Sequence, residues 1–142
     1  TVLKPLKDGS FQQESSRVKF SFGSDGQPVG MEVNNGGEIT KFIAESEWKP
    51  VVSELTTLAG DWYSEESQAL FTFAVEDGRA FILQRPSTRL PLAPLYKDHF
   101  LAPGGQVIWF TKDANGKIEK LHVGASRMRD MPFERSSKNT RP

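Results

Sequence analysis

The sequence contains no cysteine among its 142 residues. Disulfide bonds and thiolate metal sites are therefore excluded. The charges balance, with 18 basic and 18 acidic residues and a net charge of zero. Without an excess of positive charge the chain lacks the field that drives binding to nucleic acids, so we expect no nucleic-acid partner. No apolar run approaches the roughly 20 residues of a membrane helix, so we also expect no membrane insertion.

What the chain does contain is alternation of apolar and polar residues around turn sequences. The three segments are 17–33 around Asp25-Gly26, 69–84 around Asp77-Gly78 and 106–123 around Asn115-Gly116. Such dipeptides favour tight hairpin turns, because the central residues of these turns need positive φ. With aromatic residues at 11% to build a core, the pattern predicts an all-β fold, as an antiparallel meander closed into a barrel or folded into a sandwich.

One stretch has helical spacing instead. Pro50 stands where a first helical turn tolerates proline, Val51, Leu55 and Leu58 follow at helical intervals, and Gly60 can end the helix. The sequence therefore predicts one short helix here. Because such a helix would separate the segments on either side of it, the sequence also predicts a domain boundary just before the helix, within residues 45–50.

The chain repeats itself with a spacing of about 90 residues. Phe20 and Phe110 lie 90 positions apart, and at the same spacing turn glycines fall on turn glycines and apolar residues on apolar residues. With one residue of slippage, "LKPLKDGSF" near the N-terminus matches "PLAPLYKDHF" at 91–100. We interpret this as a tandem repeat. The predicted domains are 1–48, the closing half of a first copy with a linker; 49–136, a complete copy; and 137–142, a polar tail.

The complete copy contains eight predicted strands. They are residues 60–64, 69–75, 79–84, 90–95, 99–101, 106–111, 117–123 and 128–134. Eight short strands joined by tight turns predict an up-and-down barrel, in which closure removes exposed edges. The half copy would leave two edges unpaired. We expect preceding residues to complete it, and the alternatives are packing on the second copy or pairing with another chain.

A series of motifs spans the second copy. It runs Leu-x-x-Leu-Ala-Gly-x-Trp-Tyr, a hairpin, Leu-x-Pro-Leu before an aromatic residue, an Asp-x-x-Gly hairpin and a final Phe-Glu-Arg. The positions are Leu55, Leu58, Ala59, Gly60, Trp62, Tyr63, Leu92, Pro94, Leu95, Phe100, Asp113, Gly116, Phe133, Glu134 and Arg135. These motifs resemble the lipocalin-like β-barrel domain often found C-terminal to serine hydrolases of the class C β-lactamase and penicillin-binding-protein type.

The resemblance implies a non-catalytic accessory domain. Separately, we expect no cofactor, and the residues give no convincing metal site. The partner of the domain would be an upstream hydrolase domain of the same polypeptide or a second copy in a homo-oligomer, in a periplasmic or secreted protein. The domain would shape access to the hydrolase or mediate association. Two alternatives remain: a free-standing, lipocalin-like binder of a small apolar ligand, and a hydrolase in its own right.

The hydrolase alternative depends on few residues. Ser16 and Lys19 match a Ser-x-x-Lys motif, but on a predicted strand positions three apart point to opposite faces. His122 before Val-Gly resembles a further element of such enzymes, and a solvent-facing strand histidine is the simpler interpretation. Residues 113–116, which begin with Asp113, resemble the middle of a calcium loop, but His122 stands where the bidentate glutamate is needed, so we interpret them as a hairpin turn. The acidic pair Glu65-Glu66 is interpreted as solvated loop residues.

Aromatic residues supply the candidate binding positions. Phe71, Phe73, Phe81, Trp109, Phe110 and Phe133 could line a ligand cavity, but we expect a barrel of this size to be filled by its own side chains. Trp48, Trp62 and Tyr63 form a separate group near the boundary, where they could face an interface or fasten the domain internally. The candidate interface or ligand-facing residues are Trp48, Trp62, Tyr63 and Trp109.

Overall fold

The computed structural model describes residues 2–84 and 86–136, and its contacts divide the chain into two compact units between Ser46 and Glu47. The predicted fold class is confirmed: an open five-stranded sheet is followed by one short helix and a closed antiparallel barrel of eight strands. The predicted polar tail, 137–142, lies outside the described residues.

The N-terminal unit is a meander of five antiparallel strands in chain order. They are β1 (Lys4–Pro5), β2 (Phe11–Gln13), β3 (Ser16–Phe22), β4 (Pro28–Asn35) and β5 (Glu38–Ile43). The predicted Asp25-Gly26 turn joins β3 to β4, but of its two central residues only Gly26 adopts a positive φ, of 77°. This left-handed conformation favours glycine because a side chain would be strained there.

The C-terminal unit begins with a helix and closes into a barrel. Its elements are α1 (Val52–Leu58), β6 (Gly60–Ser64), β7 (Ala69–Glu76), β8 (Arg79–Gln84), β9 (Thr88–Pro94), β10 (His99–Ala102), β11 (Gln106–Lys112), β12 (Ile118–Ala125) and β13 (Met128–Arg135). Each strand pairs with its neighbours in the chain, and β13 pairs with β6 to close the ring. All eight predicted strands are therefore present, with ends that shift by up to two residues.

Helix α1 places two leucines in the barrel core. Leu55 and Leu58 are 2% and 1% exposed, as their helical spacing predicts. The prediction that Val51 belongs to the same helical series is wrong, because Val51 precedes the helix and is 60% exposed instead of packing beside the two leucines. At the other end, the Arg135 guanidinium donates hydrogen bonds to the carbonyl oxygens of Thr57 and Ala59, at 2.9 and 2.7 Å. These bonds attach the end of the helix to β13 and satisfy carbonyls that a helix leaves unpaired.

Aromatic rings fill the barrel interior. Phe73 contacts both Phe100 and Phe110 edge to face, with centroids 5.4 and 5.3 Å apart. Phe71 stacks on Phe133 at 4.6 Å. Edge-to-face and offset contacts are the arrangements that aromatic rings prefer. The interior is thus a packed core, as expected for a barrel of eight short strands.

The two units repeat the same strand geometry. Strands β3 and β4 begin and end 90 positions before β11 and β12. Both hairpins carry an irregularity at the same place, between Ser21 and Phe22 and between Thr111 and Lys112. At β5 the spacing becomes 91, because Met31 pairs with Phe42 whereas Leu121 pairs with Phe133. The turns before β5 and β13 both leave two residues between paired strand ends, so the change arises from the irregularity between Val123 and Ala125 in the β12–β13 pairing, which the β4–β5 pairing lacks.

Candidate functional site

Trp62 belongs to the core and not to a surface. Its side chain is 0% exposed, its Nε1 donates a hydrogen bond to the Leu58 carbonyl oxygen at 3.1 Å, and the Arg135 guanidinium lies 4.4 Å from the centroid of its ring. The interface or ligand-facing role considered for Trp62 is therefore replaced by a core role. The alternation of β6 turns Trp62 inward and leaves its neighbour Tyr63 half-buried on the outer side.

Trp48 fastens the segment before the helix to the barrel. Its ring contacts Phe100 edge to face, with centroids 5.4 Å apart, and its backbone N–H donates to the Leu95 carbonyl oxygen at 3.2 Å. The Lys97 ammonium lies 5.3 Å from the centroid of the indole ring. Of the two roles considered for this residue, the contacts within its own unit correspond to the internal fastening.

Two of the six aromatic residues proposed to line the interior do not lie there. Strand alternation places Phe71, Phe73, Phe110 and Phe133 inside, whereas Phe81 and Trp109 project outward. The Arg89 guanidinium covers Phe81, 3.9 Å from the centroid of the ring. The predicted interior set is therefore wrong for Phe81 and Trp109. Adjacent residues of a strand point to opposite faces, so they cannot all line the interior.

Trp109 lies in the middle of a stack of four rings on the outer face of the barrel, which we call the aromatic ladder. Its members are Tyr96, His99, Trp109 and His122. His99 and His122 are the direct pairing partners of Trp109 on β10 and β12. Centroid separations along the ladder are 4.2, 6.1 and 5.1 Å, and the last two pairs of planes are within 8° of parallel. Direct cross-strand neighbours point to the same face, so three adjacent strands build the stack.

One end of the ladder is held by a polar chain. Nδ1 of His122 lies 2.8 Å from a carboxylate oxygen of Asp130, and Nε2 lies 3.1 Å from the Thr111 hydroxyl. The His122 side chain is 12% exposed. It faces outward, as predicted for a strand histidine, but Trp109 and these polar partners cover most of it. A carboxylate only accepts hydrogen bonds, so Nδ1 carries a hydrogen and the ring orientation is fixed.

Thr111, His122 and Asp130 repeat the connectivity of a hydroxyl, imidazole and carboxylate triad. A triad hydrolase also needs donors free to bind an oxyanion and a cleft beside the hydroxyl. Here the hydroxyl lies on a wall of paired strands, where Phe110 N–H donates to the Asp98 carbonyl oxygen and Thr111 pairs with Lys120. The arrangement is better suited to positioning His122 against Trp109 than to acyl transfer.

The opposite end of the ladder is also ordered by hydrogen bonds. Nδ1 of His99 lies 2.8 Å from the Lys97 carbonyl oxygen, and Lys112 forms an ion pair with Asp98 at 2.7 Å. Tyr96, which stacks on His99, is 37% exposed. The ladder thus combines a partly exposed aromatic strip with charged neighbours that are already paired.

A groove of about 510 Å³, lined by charged side chains and by apolar surface, adjoins this end of the ladder. Lys97 and Glu54 form an ion pair across it at 2.6 Å. The hydrogen bond from Lys97, followed by one from the Val51 N–H, lowers the pKa of Glu54 below its ordinary 4.5, and the same pairing raises the pKa of Lys97. These charges connect α1 to the β9–β10 turn.

The other candidates from the sequence have structural roles. Ser16 hydrogen-bonds to the side chain of Asn35, and Lys19 pairs across the sheet with Glu32. The Asp113 carboxylate accepts the N–H groups of Asn115 and Lys117 at 2.8 and 3.0 Å, which is the bonding of a hairpin turn. Within 2–84 and 86–136, no group of three or more histidine, aspartate or glutamate side chains is arranged to hold a metal ion.

The sequence indicates Trp109 and His122 as separate candidates and does not by itself place them side by side. A signal was available, because Trp109 and His122 are equidistant from the centre of the Asn115-Gly116 turn and do face each other, although the pair nearest the turn, Lys112 and Ile118, is displaced by a one-residue irregularity. Asp130 and Thr111 had no comparable signal. The pairing of β12 with β13 is irregular between Val123 and Ala125, so sequence spacing does not fix which β13 residue reaches His122.

A comparison with protein-family models gives no match, and a comparison with curated proteins gives none either. Among the residues that the structure describes, no helix is both long enough and apolar enough to cross a bilayer. The resemblance to lipocalin-like accessory domains therefore rests on the sequence motifs alone.

Proposed function

We propose that the chain is a non-catalytic interaction module that associates with a serine hydrolase domain of the class C β-lactamase type, in a periplasmic or secreted protein. The observation that carries this proposal is the combination of a filled barrel with an ordered aromatic ladder on its outer face. The hydrolase partner is taken from the sequence motifs of the second repeat.

The ladder has the properties of a protein-binding surface. Tryptophan and tyrosine supply large contact areas at little cost in side-chain entropy, and they are enriched among residues that dominate binding energy. Stacking on both sides of Trp109 holds the indole ring before a partner arrives. The hydrogen bonds from His122 to Asp130 and Thr111 likewise hold the imidazole ring at the end of the ladder. A preorganised surface loses less entropy on binding.

The packed interior argues against the main alternative. A carrier of small apolar ligands needs a cavity inside the barrel. Here Phe73, Phe100 and Phe110 contact one another across that space. A ligand could enter only by displacing rings that stabilise the fold.

Titration calorimetry tests the proposal with a hydrolase domain of this type, prepared without its own C-terminal barrel. We expect saturable binding to the full chain and at least about 30-fold weaker binding by Trp109→Ala, as for a central interface residue. Phe81→Ala is the matched control, because Phe81 is also an outward aromatic residue on a barrel strand. Equal affinity of the two variants, or no binding by the parent chain, would contradict the proposal.

A second assay addresses catalysis directly. The full chain is incubated with ester and β-lactam reporter substrates, beside Thr111→Val. We expect no turnover above the buffer rate in either protein. Turnover that the Thr111→Val substitution abolishes would replace the interaction module with a hydrolase acting through His122 and Asp130.

A further inference from the structure

The five-stranded sheet of the N-terminal unit is open where the barrel is closed. Within residues 2–46, β1 pairs only with β2 and β5 pairs only with β4. Their barrel counterparts, β9 and β13, pair on both sides, β9 with β8 and β13 with β6. Strands β6–β8 therefore fill, in the barrel, the place that is open in the sheet.

Near the open edges of the sheet, apolar residues at inward positions are more exposed to solvent than their counterparts in the barrel. Phe42 is 48% exposed, whereas Phe133, which holds the same pairing position in the barrel, is 0% exposed. Leu3 is 39% exposed, whereas its counterpart Leu92 is 7% exposed. Both differences occur where the barrel residue is covered by the three strands that the sheet lacks.

The middle of the sheet does not share this exposure. Val18 on β3 is 2% exposed, and its barrel counterpart Ile108 is 1% exposed. The ring pair Phe11–Phe20 keeps the edge-to-face contact that Phe100 and Phe110 make, at 5.7 against 6.2 Å. The centre is thus built as in the barrel, and the uncovered apolar area lies toward the edges.

The barrel also shows which side chains would cover these positions. Phe133 stacks on Phe71 of β7, with centroids 4.6 Å and planes 19° apart. Gln84 and Ala80 of β8 lie opposite Thr88 and Leu92 of β9. An occupant of the open sheet needs an aromatic residue on its middle strand and two outer strands with unpaired edges.

We propose that the open sheet binds a three-stranded antiparallel segment with the residue pattern of β6–β8, which pairs with β5 and β1 and closes a second barrel. Strand addition satisfies backbone groups along both edges, and alternate side chains give specificity. The aromatic residue of the middle strand stacks on Phe42, as Phe71 does on Phe133.

The experiment adds such a segment to the full chain. A duplicate of residues 47–89 placed directly before Thr1 restores the spacing of the repeat, so that Leu3 follows the added strands as Leu92 follows β8. Hydrogen exchange is then followed in residues 38–43. We expect exchange there to slow by about tenfold or more relative to the unextended chain, because new strand pairing protects amides.

The matched control carries Phe71→Asp and Phe73→Asp in the added segment only, and we expect it to leave exchange in 38–43 unchanged. Protection of the original barrel strands reports that each protein is folded. If the original barrel is protected but residues 38–43 exchange equally fast with and without the unaltered segment, the proposal is overturned. It is also overturned if the unextended chain is a dimer by light scattering with 38–43 already protected, because a second copy would then be the occupant.

Discussion

The imidazole ring of His122 lies parallel to the indole ring of Trp109, with centroids 5.1 Å and planes 8° apart. The pairing of β11 with β12 places these residues opposite each other, and Asp130 and Thr111 then fix the rotation of the imidazole. Because His99 lies on the other side of Trp109, the indole is held between two imidazoles. This fixed arrangement distinguishes the outer face of β10–β12 from isolated exposed aromatic residues.

The buried Trp62 and the stacked Trp109 should differ in how much they contribute to the stability of the barrel. Trp62→Ala removes a fully buried side chain and should lower the free energy of unfolding by about 3–5 kcal/mol. Trp109→Ala removes stacking on the outer face and should cost about 1–2 kcal/mol. Urea denaturation of the full chain, monitored by far-UV circular dichroism, compares the variants. Equal losses would contradict the assignment of Trp109 to the outer face.

The polar chain around His122 predicts its tautomer. In neutral His122, Nδ1 carries the hydrogen and donates it to Asp130, while Nε2 accepts from the Thr111 hydroxyl. Nitrogen NMR of labelled protein should therefore show the Nδ1–H form. In Asp130→Ala the Nε2–H form should become populated, whereas Asp130→Asn should keep the Nδ1–H form because its amide oxygen also accepts. A predominant Nε2–H form in the parent chain would contradict the hydrogen-bond assignment.

The ion pair between Glu54 and Lys97 predicts loss of stability at both ends of the pH range. The pKa of Glu54 is lowered from 4.5, chiefly by the hydrogen bond from Lys97, so its contribution is present above pH 4.5 and lost as the pH falls through the folded-state pKa. The pKa of Lys97 is raised from 10.5, chiefly by the hydrogen bond to Glu54, so its contribution is present below pH 10.5 and lost as the pH rises through the folded-state pKa.

Melting temperatures measured across pH test this pair. The difference in Tm between the parent chain and Glu54→Gln should shrink as the pH falls below 4.5. Glu65→Gln, at the exposed β6–β7 turn, is the control and should track the parent chain throughout. A difference for Glu54→Gln that stays constant down to low pH would show that the pair does not act through ionisation.

Arg135 should stabilise the barrel through the end of α1. Arg135→Ala removes two hydrogen bonds to helix carbonyls and the guanidinium above Trp62, so we expect a loss of about 1–2 kcal/mol. The stability of Arg135→Lys should fall between those of the parent chain and Arg135→Ala, because an ammonium cannot reproduce both hydrogen bonds in the same geometry. Thermal denaturation compares them with Arg79→Ala, at an exposed strand position. A loss no greater than that of the control would refute the role of Arg135.

Much of the barrel could be predicted because its signals are local. Alternation on β7 and β8 and the turn dipeptides Asp77-Gly78 and Asn115-Gly116 set strand positions directly from the sequence. The repeat spacing supplied the relation between β3 and β11 without knowledge of the fold. The one-residue change at β5 could not be obtained this way, because it arises from the irregular pairing of β12 with β13 between Val123 and Ala125.

The candidate site was harder to predict because it is assembled across strands. Trp109, His99 and His122 come from three hairpin-connected strands, so their proximity depends on two registers at once. The two roles left open for Trp62 could not be decided from the sequence, because a tryptophan near a predicted boundary suits an interface as well as a core. Strand alternation within the closed barrel decides for the core.

The most direct test of the interaction module maps the surface that a partner covers. Hydrogen exchange of the full chain is measured with and without a hydrolase domain of the class C β-lactamase type. We expect slowed exchange in residues 96–99, 107–112 and 120–123, which carry the aromatic ladder, and unchanged exchange in 69–84, which carries Phe81. Slowed exchange confined to 69–84, or no change in any segment at saturating hydrolase domain, would contradict the account.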